Sequence, residues 1–243
     1  MTRWIRPILV KSIPHLVAGG LIVACVQLAW WQQDRAAEKA TLLTQWESAP
    51  VLQTQNPTAL AQAPPFSEIE ISGHWEPTRH ILLDNQTRQN HPGVHVFVPF
   101  KLAGTEVIYM VNRGWQPWYR MTGEWPEYST PEGLQTIQGR LSMPPRVGLQ
   151  IGEAAPLDPN QWPNLMTYFD FNRIQAVFGP DVAERIILLD PSEPTHLSGD
   201  PWPSVNMGPD RHLAYAFQWF AIALAILIIW IALTYRFYRK RHE

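Results

Sequence analysis

Cysteine is almost missing from this chain: the single one among 243 residues, Cys25, falls inside an apolar run. One thiol excludes an intramolecular disulfide, CxxC redox chemistry, a two-thiolate copper site and a four-cysteine zinc site. It does not argue against an oxidising compartment, because the roughly 180 residues between the apolar ends suffice for a core without staples. The GxSxG, HExxH, phosphate-loop and CxxCH patterns are also absent. Asp84, Asp170 and Asp190 are carboxylates whose spacing marks no acid–base pair. His91-Pro92-Gly93-Val94-His95 sets two histidines four apart. Pro92 and Gly93 oppose the helix that would bring them onto one face, so a turn leading into a strand is expected there. No catalytic constellation emerges, and the chain is not expected to be an enzyme. Positive charge is scarce in the middle: residues 32–212 hold 12 basic and 20 acidic side chains, a net of about −8. That balance opposes binding to a nucleic-acid backbone.

What is abundant lies at the two ends. Residues 213–233 read LAYAFQWFAIALAILIIWIAL, without a charge and with Gln218 as the one strongly polar side chain. About 20 apolar residues cross a bilayer core as a helix. Tyr215 and Trp219 stand near one end of this block, Trp230 and Tyr235 near the other, as in an aromatic belt. The N-terminal block, 8–31, is weaker, since it contains Lys11, His15 and Gln27. Three readings fit it: a retained helix, a cleaved signal peptide, or a lipoprotein site at Ile22-Val23-Ala24-Cys25. The retained helix is preferred, because Val23 suits such a cleavage site poorly and the segment after Cys25 is not a polar tether. Arg3, Arg6 and Lys11 precede the first block, and Arg236, Arg239, Lys240 and Arg241 follow the second. Both termini are therefore expected to be cytoplasmic, with the middle outside. In a bacterium this means an inner-membrane protein that crosses twice and carries a periplasmic domain.

The middle is proline-rich and turns to period two. A helical pattern over 34–48 gives way to a polar linker over 50–65. Alternation then marks strands near 68–71, 79–83, 94–98, 106–111 and 134–141, with a hairpin around Ala103-Gly104-Thr105. Asp170 is placed to cap a short helix through Ile174, Val177 and Phe178, stopped by Gly179-Pro180. A last β-branched run covers 185–189, and a Pro/Gly-rich link over 199–211 leads into the second block. The expected class is an α+β membrane protein: transmembrane helices at 8–31 and 213–235, a mostly antiparallel β domain with short helices over 32–212, and a basic tail over 236–243. The sheet is expected to form a small barrel or a sandwich. Twelve tryptophans, among them Trp75, Trp115, Trp118, Trp125, Trp162 and Trp202, suit either packing near lipid headgroups or a docking surface for a flat ligand. His212 precedes the second block by one residue; it reads as a wetted interface residue or as an axial iron ligand.

Four groups of residues, in order along nearly the whole chain, resemble the Surfeit locus protein one family, assembly factors for haem–copper cytochrome oxidase. They are Trp31-Gln32 with Arg35 and Lys39; Gly73-His74-Trp75; Val111-Asn112-Arg113-Gly114-Trp115; and His212 with Tyr215, Ala216, Gln218 and Trp219. Ala29 departs from the glycine usual in the family two residues before the tryptophan. The resemblance implies a role in biogenesis of the oxidase large subunit in the respiratory chain, alongside other assembly factors, and haem a binding with His212 as iron ligand. Beside that ligand the ring would rest against Tyr215 or Trp219, and Arg113 would pair with a propionate or, alternatively, order its own turn. A cofactor-free membrane scaffold is the competing reading. No family motif falls in 121–163.

The topology has a direct test. A reporter active only in the periplasm should be active when fused within residues 56–64 and silent after Glu243; activity at both places would mean that the second block does not span. A Cys25→Ser variant should stay membrane-bound at unchanged size, whereas accumulated precursor would point to lipidation.

Overall fold

The computed structural model describes residues 5–119, 123–145, 156–197 and 207–239, with side chains from Ser12 onward. Arg3, Trp202, Lys240 and Arg241 lie outside the described residues, as do the side chains of Arg6 and Lys11 and much of the 199–211 link. In chain order the elements are α1 (Ile5–Glu47), β1 (Val51–Leu52), α2 (Pro57–Gln62), β2 (Glu68–Trp75), β3 (Ile81–Arg88), β4 (His91–Leu102), β5 (Ile108–Pro117), β6 (Leu134–Ser142), β7 (Asn164–Met166), α3 (Phe171–Phe178), β8 (Val182–Leu189) and α4 (Pro209–Arg239). Two compact units result: Met1–Thr44 with Val205–Glu243, and Gln45–Ser204.

The first unit pairs the two long helices. The stretches Ser12–Glu47 and Pro209–Arg239 are long and apolar enough to cross a membrane. On α1 the protected positions include Ala18, Ile22, Cys25, Ala29, Gln32 and Ala36; on α4 they include His212, Ala216, Trp219, Ala223, Ile226 and Trp230. Both sets step by four and three alternately, the 3.5-residue spacing of helices packed at a shallow left-handed crossing. Small side chains dominate the seam, which lets the backbones approach. Cys25 is one of them, 6% exposed. Cross-contacts fix the pair as antiparallel: Gln32 with His212, Trp30 edge-on to Phe220 at 6.2 Å between centroids, and His15 with Trp230.

The second unit is an eight-stranded sheet in the order β1-β2-β6-β8-β5-β4-β3-β7, with β2 also paired to β4. That extra pairing closes β2, β6, β8, β5 and β4 into a five-stranded barrel. Closure runs through Gly73, opposite Leu102. A Cβ on Gly73 would lie 2.2 Å from the Lys101 carbonyl oxygen and 2.6 Å from the Phe100 ring, so only glycine lets the two strands meet. Inside the barrel lie Ile71, Val96, Val98, Phe100, Tyr109, Val111, Ile137, Leu141, Ile187 and Leu189. The alternate residues Phe97, Met110, Ile186 and Leu188 form a second core with Ile174 of α3 and Met166 of β7. Burial on both faces explains why β4 and β8 read as nearly continuous apolar runs. Barrel and sandwich were both open from the sequence; the unit contains a barrel, with parallel pairs β1–β2, β3–β7 and β5–β8 beside the antiparallel ones.

Three local readings need correction. The linker expected over 50–65 contains β1 and α2. Asn56 caps α2 by accepting from the Thr58 and Ala59 amides, Pro57 starts it, and Leu60 is fully buried with the barrel core. The turn expected at His91-Pro92-Gly93 is already strand. The reversal lies at Gln89-Asn90, with φ of 47° and 64°, the two positive angles of a two-residue hairpin turn. The residues around Arg113 form no turn either: His95 pairs with Trp115 and Phe97 with Asn112, so Arg113 and Gly114 together oppose Val96 in a β-bulge. The helix capped by Asp170 and ended at Gly179 is found as expected.

At the bulge Gly114 has φ 116°, and a Cβ there would lie 2.6 Å from the Leu197 carbonyl oxygen. Both a left-handed backbone and a close approach demand glycine. Gly114→Val should therefore destabilise the β-rich unit by about 3 kcal/mol or more, read as a lowered melting midpoint and lower abundance. Normal accumulation and a wild-type melt would assign the glycine to recognition instead.

Candidate functional site

The four motifs singled out in the sequence resolve into two contacts, one in each unit. In the β-rich unit, Gly73-His74-Trp75 meets Asn112-Arg113-Gly114. Arg113 is among the largest fully buried side chains, 2% exposed. Its Nε donates to the Thr195 carbonyl at 2.9 Å, Nη1 to Thr130 Oγ1 at 3.0 Å and Nη2 to the Ser129 carbonyl at 2.8 Å. The guanidinium carbon stands 5.6 Å from the Trp75 ring centroid and 5.8 Å from that of Tyr128, within cation–π range. Asn112 braces the bulge, its Oδ1 accepting from the Gly114 amide and its Nδ2 donating to His95 Nδ1. The Leu197 amide donates to the Arg113 carbonyl. Trp115 Nε1 donates to the Gln86 carbonyl. Each nitrogen of the Arg113 guanidinium thus holds a segment of its own domain. The side chain is buried, and this geometry favours the alternative, in which Arg113 orders the chain around it.

His80 and Tyr128 complete this cluster. Their rings stack at 5.1 Å, and His80 Nδ1 lies 3.0 Å from the Tyr128 hydroxyl. Burial, reinforced by the Arg113 cation and partly opposed by Glu76, pushes the His80 pKa down from 6.5 to about 4. Burial pushes Tyr128 up to about 12. The interior is therefore built around one cation and a neutral imidazole.

In the helical unit, the first and fourth motifs meet. Pro209 and Asp210 open α4, proline and an acid suiting a first turn, and His212 follows in that turn, 8% exposed. Its Nδ1 lies 2.8 Å from Gln32 Oε1. Among the described residues Nε2 takes no hydrogen bond. Tyr215 is 44% exposed, Trp219 half-buried on the seam, and Trp30 and Trp31 are each more than half exposed. One imidazole bordered by exposed aromatic rings is a donor set that suits an axial iron ligand on a flat, apolar ring. His15, the other histidine of this unit among the described residues, accepts from Trp230 Nε1 at 2.8 Å. It is 17 residues from Gln32 along α1, about 26 Å at the helical rise. Beside it a cavity of about 650 Å³ opens, lined by Pro14, Leu21, Ile226, Leu233 and Phe237 among others. His212, Tyr215 and Trp219 share one unit; Arg113 belongs to the other. His91 and His95 each hydrogen-bond locally, and no group of three His, Cys, Asp or Glu suited to a metal ion occurs among the described residues. Sequence reasoning had the motif of Gln32 but not its contact with His212, since 180 residues separate the two.

A barrel-bearing domain held in sequence between two long apolar helices, with its motifs paired in this way, defines the class. The family model for SURF1 matches residues 20–224. The chain belongs to the SURF1 family. The SURF1-like protein of Drosophila melanogaster is 26% identical over 224 residues, 84% of this chain and 71% of that protein. The SURF1-like protein of Rickettsia conorii is 23% identical over 222 residues, 89% of this chain and 87% of that protein. The SURF1-like protein of Caenorhabditis elegans is 26% identical over 153 residues, and there the chain spans 44% of the relative's length.

The cluster around His80 sets a pH dependence. In the unfolded chain His80 takes up a proton near pH 6.5, in the fold only near 4. Its contribution is complete above pH 6.5 and is lost as pH falls from 6.5 towards 4, amounting to about 3 kcal/mol at most. Melting midpoints measured across that window should fall more steeply for the wild type than for His80→Gln. Parallel curves would show that His80 is not held neutral.

Proposed function

We propose that this chain is a non-enzymatic assembly factor for a haem–copper cytochrome oxidase, anchored by α1 and α4 in the bacterial inner membrane with the barrel domain on the periplasmic side. Membership of the SURF1 family and the motifs quoted above support the assembly role. The outward Leu and Ile side chains of both helices, such as Leu16, Leu224 and Ile228, support the membrane setting, since an apolar surface of this extent suits lipid. The Lys and Arg residues flanking both helices support cytoplasmic termini.

The finer reading is that the protein binds haem a and assists its installation in the oxidase large subunit. The observation that carries it is the hydrogen bond between His212 Nδ1 and Gln32, which leaves the Nε2 edge for iron. Haem would supply the iron that the oxidase needs. This chain would contribute one imidazole, and Tyr215 and Trp219 as apolar and aromatic surface for the ring. Arg113 is better assigned to its own fold than to a propionate. That commitment favours the competing reading to the same extent: a cofactor-free scaffold that steadies an oxidase intermediate through its barrel domain.

Detergent-purified protein, with and without added haem a, separates the two. His212→Ala should bleach or shift the haem spectrum and weaken binding by at least about tenfold, while the protein still folds and inserts. Oxidase made beside the variant should be underloaded with haem. Unchanged binding in a well-folded variant would remove His212 as the ligand and leave the scaffold as the stronger reading.

A further inference from the structure

We propose that Gln32 is the positioning residue for His212: it fixes the imidazole as the Nδ1–H tautomer and so turns the Nε2 lone pair towards the iron. The inference rests on the haem-binding reading above and assigns a role to the residue beside the ligand.

The chemistry follows from the donor inventory. A glutamine Oε1 only accepts, so at 2.8 Å the hydrogen between it and Nδ1 belongs to the ring. In a neutral imidazole that leaves the lone pair on Nε2, the atom a metal takes. An acceptor behind the ring also fixes its rotation and raises the basicity of the ligating nitrogen. The packing explains why this hydrogen bond persists. Gln32 follows Cys25 and Ala29 on the α1 seam, and His212 precedes Ala216 on the α4 seam, so the helix register itself sets the two side chains opposite each other.

His15 provides an internal contrast. Its Nδ1 accepts from Trp230 Nε1, and an indole nitrogen only donates. The neutral His15 ring therefore carries its hydrogen on Nε2, and its single lone pair is already taken. The two histidines of one helix pair are held in opposite tautomers, one prepared as a ligand and the other as a donor. The choice of His212 over His15 thus has a cause beyond position along the helix.

The test uses full-length protein in detergent, labelled with ¹⁵N-histidine, and ferric haem a as probe. In the haem-free protein the His212 nitrogen shifts, assigned by difference from His212→Ala, should report Nδ1–H. Gln32→Met, which keeps length and removes the acceptor, should lose that fixed tautomer and bind haem about tenfold more weakly, with an altered ferric electron paramagnetic resonance signal. Gln32→Glu should keep the Nδ1–H tautomer and its haem, and shift the iron reduction potential to a more negative value. A wild-type His212 protonated on Nε2, or a Gln32→Met protein with wild-type tautomer and affinity, would overturn the role of Gln32. A wild type that shows the Nδ1–H tautomer yet takes up no haem would overturn the haem-binding reading, and the positioning of an iron ligand with it.

Discussion

The β-rich unit depends on one buried cation. A guanidinium withdrawn from water costs several kcal/mol unless its donors are met, and Arg113 has no carboxylate within ion-pair distance among the described residues. It is met instead by the carbonyls of Ser129 and Thr195, the Thr130 hydroxyl and two aromatic faces. Hydrogen bonds to a charged group contribute about 1.5–3 kcal/mol each, but only if every partner arrives. The segments carrying Tyr128–Thr130 and Thr195–Leu197 have little regular structure of their own, and Arg113 gives them a reason to hold one conformation. Arg113 follows Tyr109 and Val111 in the alternation of β5 and reaches Trp75 and Tyr128 of the same core; the left-handed Gly114 makes the bulge beside it, and Asn112 ties that distortion down. His80 pays for the same arrangement, since a neighbouring guanidinium and a dry interior together keep it neutral.

The helical unit rests on a different constraint, the matching of two 3.5-residue seams. Small residues alone would allow the helices to slide by a turn. Polar contacts near the two ends prevent this, because a shift of one turn separates both Gln32 from His212 and His15 from Trp230. Each contact needs its two side chains opposite each other, so the pair marks one register of the seam. They lie about 26 Å apart along α1 by helical rise, close to the thickness of a hydrocarbon core. On the membrane reading, each would sit near one interface.

Much of this was legible in the sequence where the signal is local. The second apolar helix, the β4–β5 hairpin and the Asp170 cap all follow from composition, period or a single residue's capping preference. What stayed hidden depends on partners distant in sequence. Barrel closure through Gly73 opposite Leu102 carries no local mark, since a glycine at a strand end suits a turn equally well. Asn56-Pro57 did carry a helix-start signal, but six residues are too few for a period to show, and the surrounding prolines suggested a linker. His91-Pro92-Gly93 misled for the same reason in reverse: turn residues were read as a turn, although the reversal sits just before them at Gln89-Asn90. At the candidate site, His212 was legible from position and resemblance. Arg113 was visible as a residue of consequence but not as a buried one, because nothing in the sequence states that its three acceptors come from two distant segments.

The proposed function makes different demands on the two units. A protein that hands on a cofactor must hold it firmly enough to protect it and loosely enough to release it. A single histidine ligand, as proposed for His212, would meet that demand better than two, since it would hold the iron through one protein bond. An amide behind that histidine is a milder acceptor than the carboxylate found behind many permanent metal ligands, and it raises the donor strength of Nε2 correspondingly less. On the haem-binding proposal, Gln32 would then be suited to orientation more than to tight retention: it would set which nitrogen is offered to the iron without making the bond hard to break. Among the described residues, the buried cation of the barrel domain is spent on its own segments, and on this proposal the domain's part would be to present a fixed surface to the partner subunit while the exchange takes place.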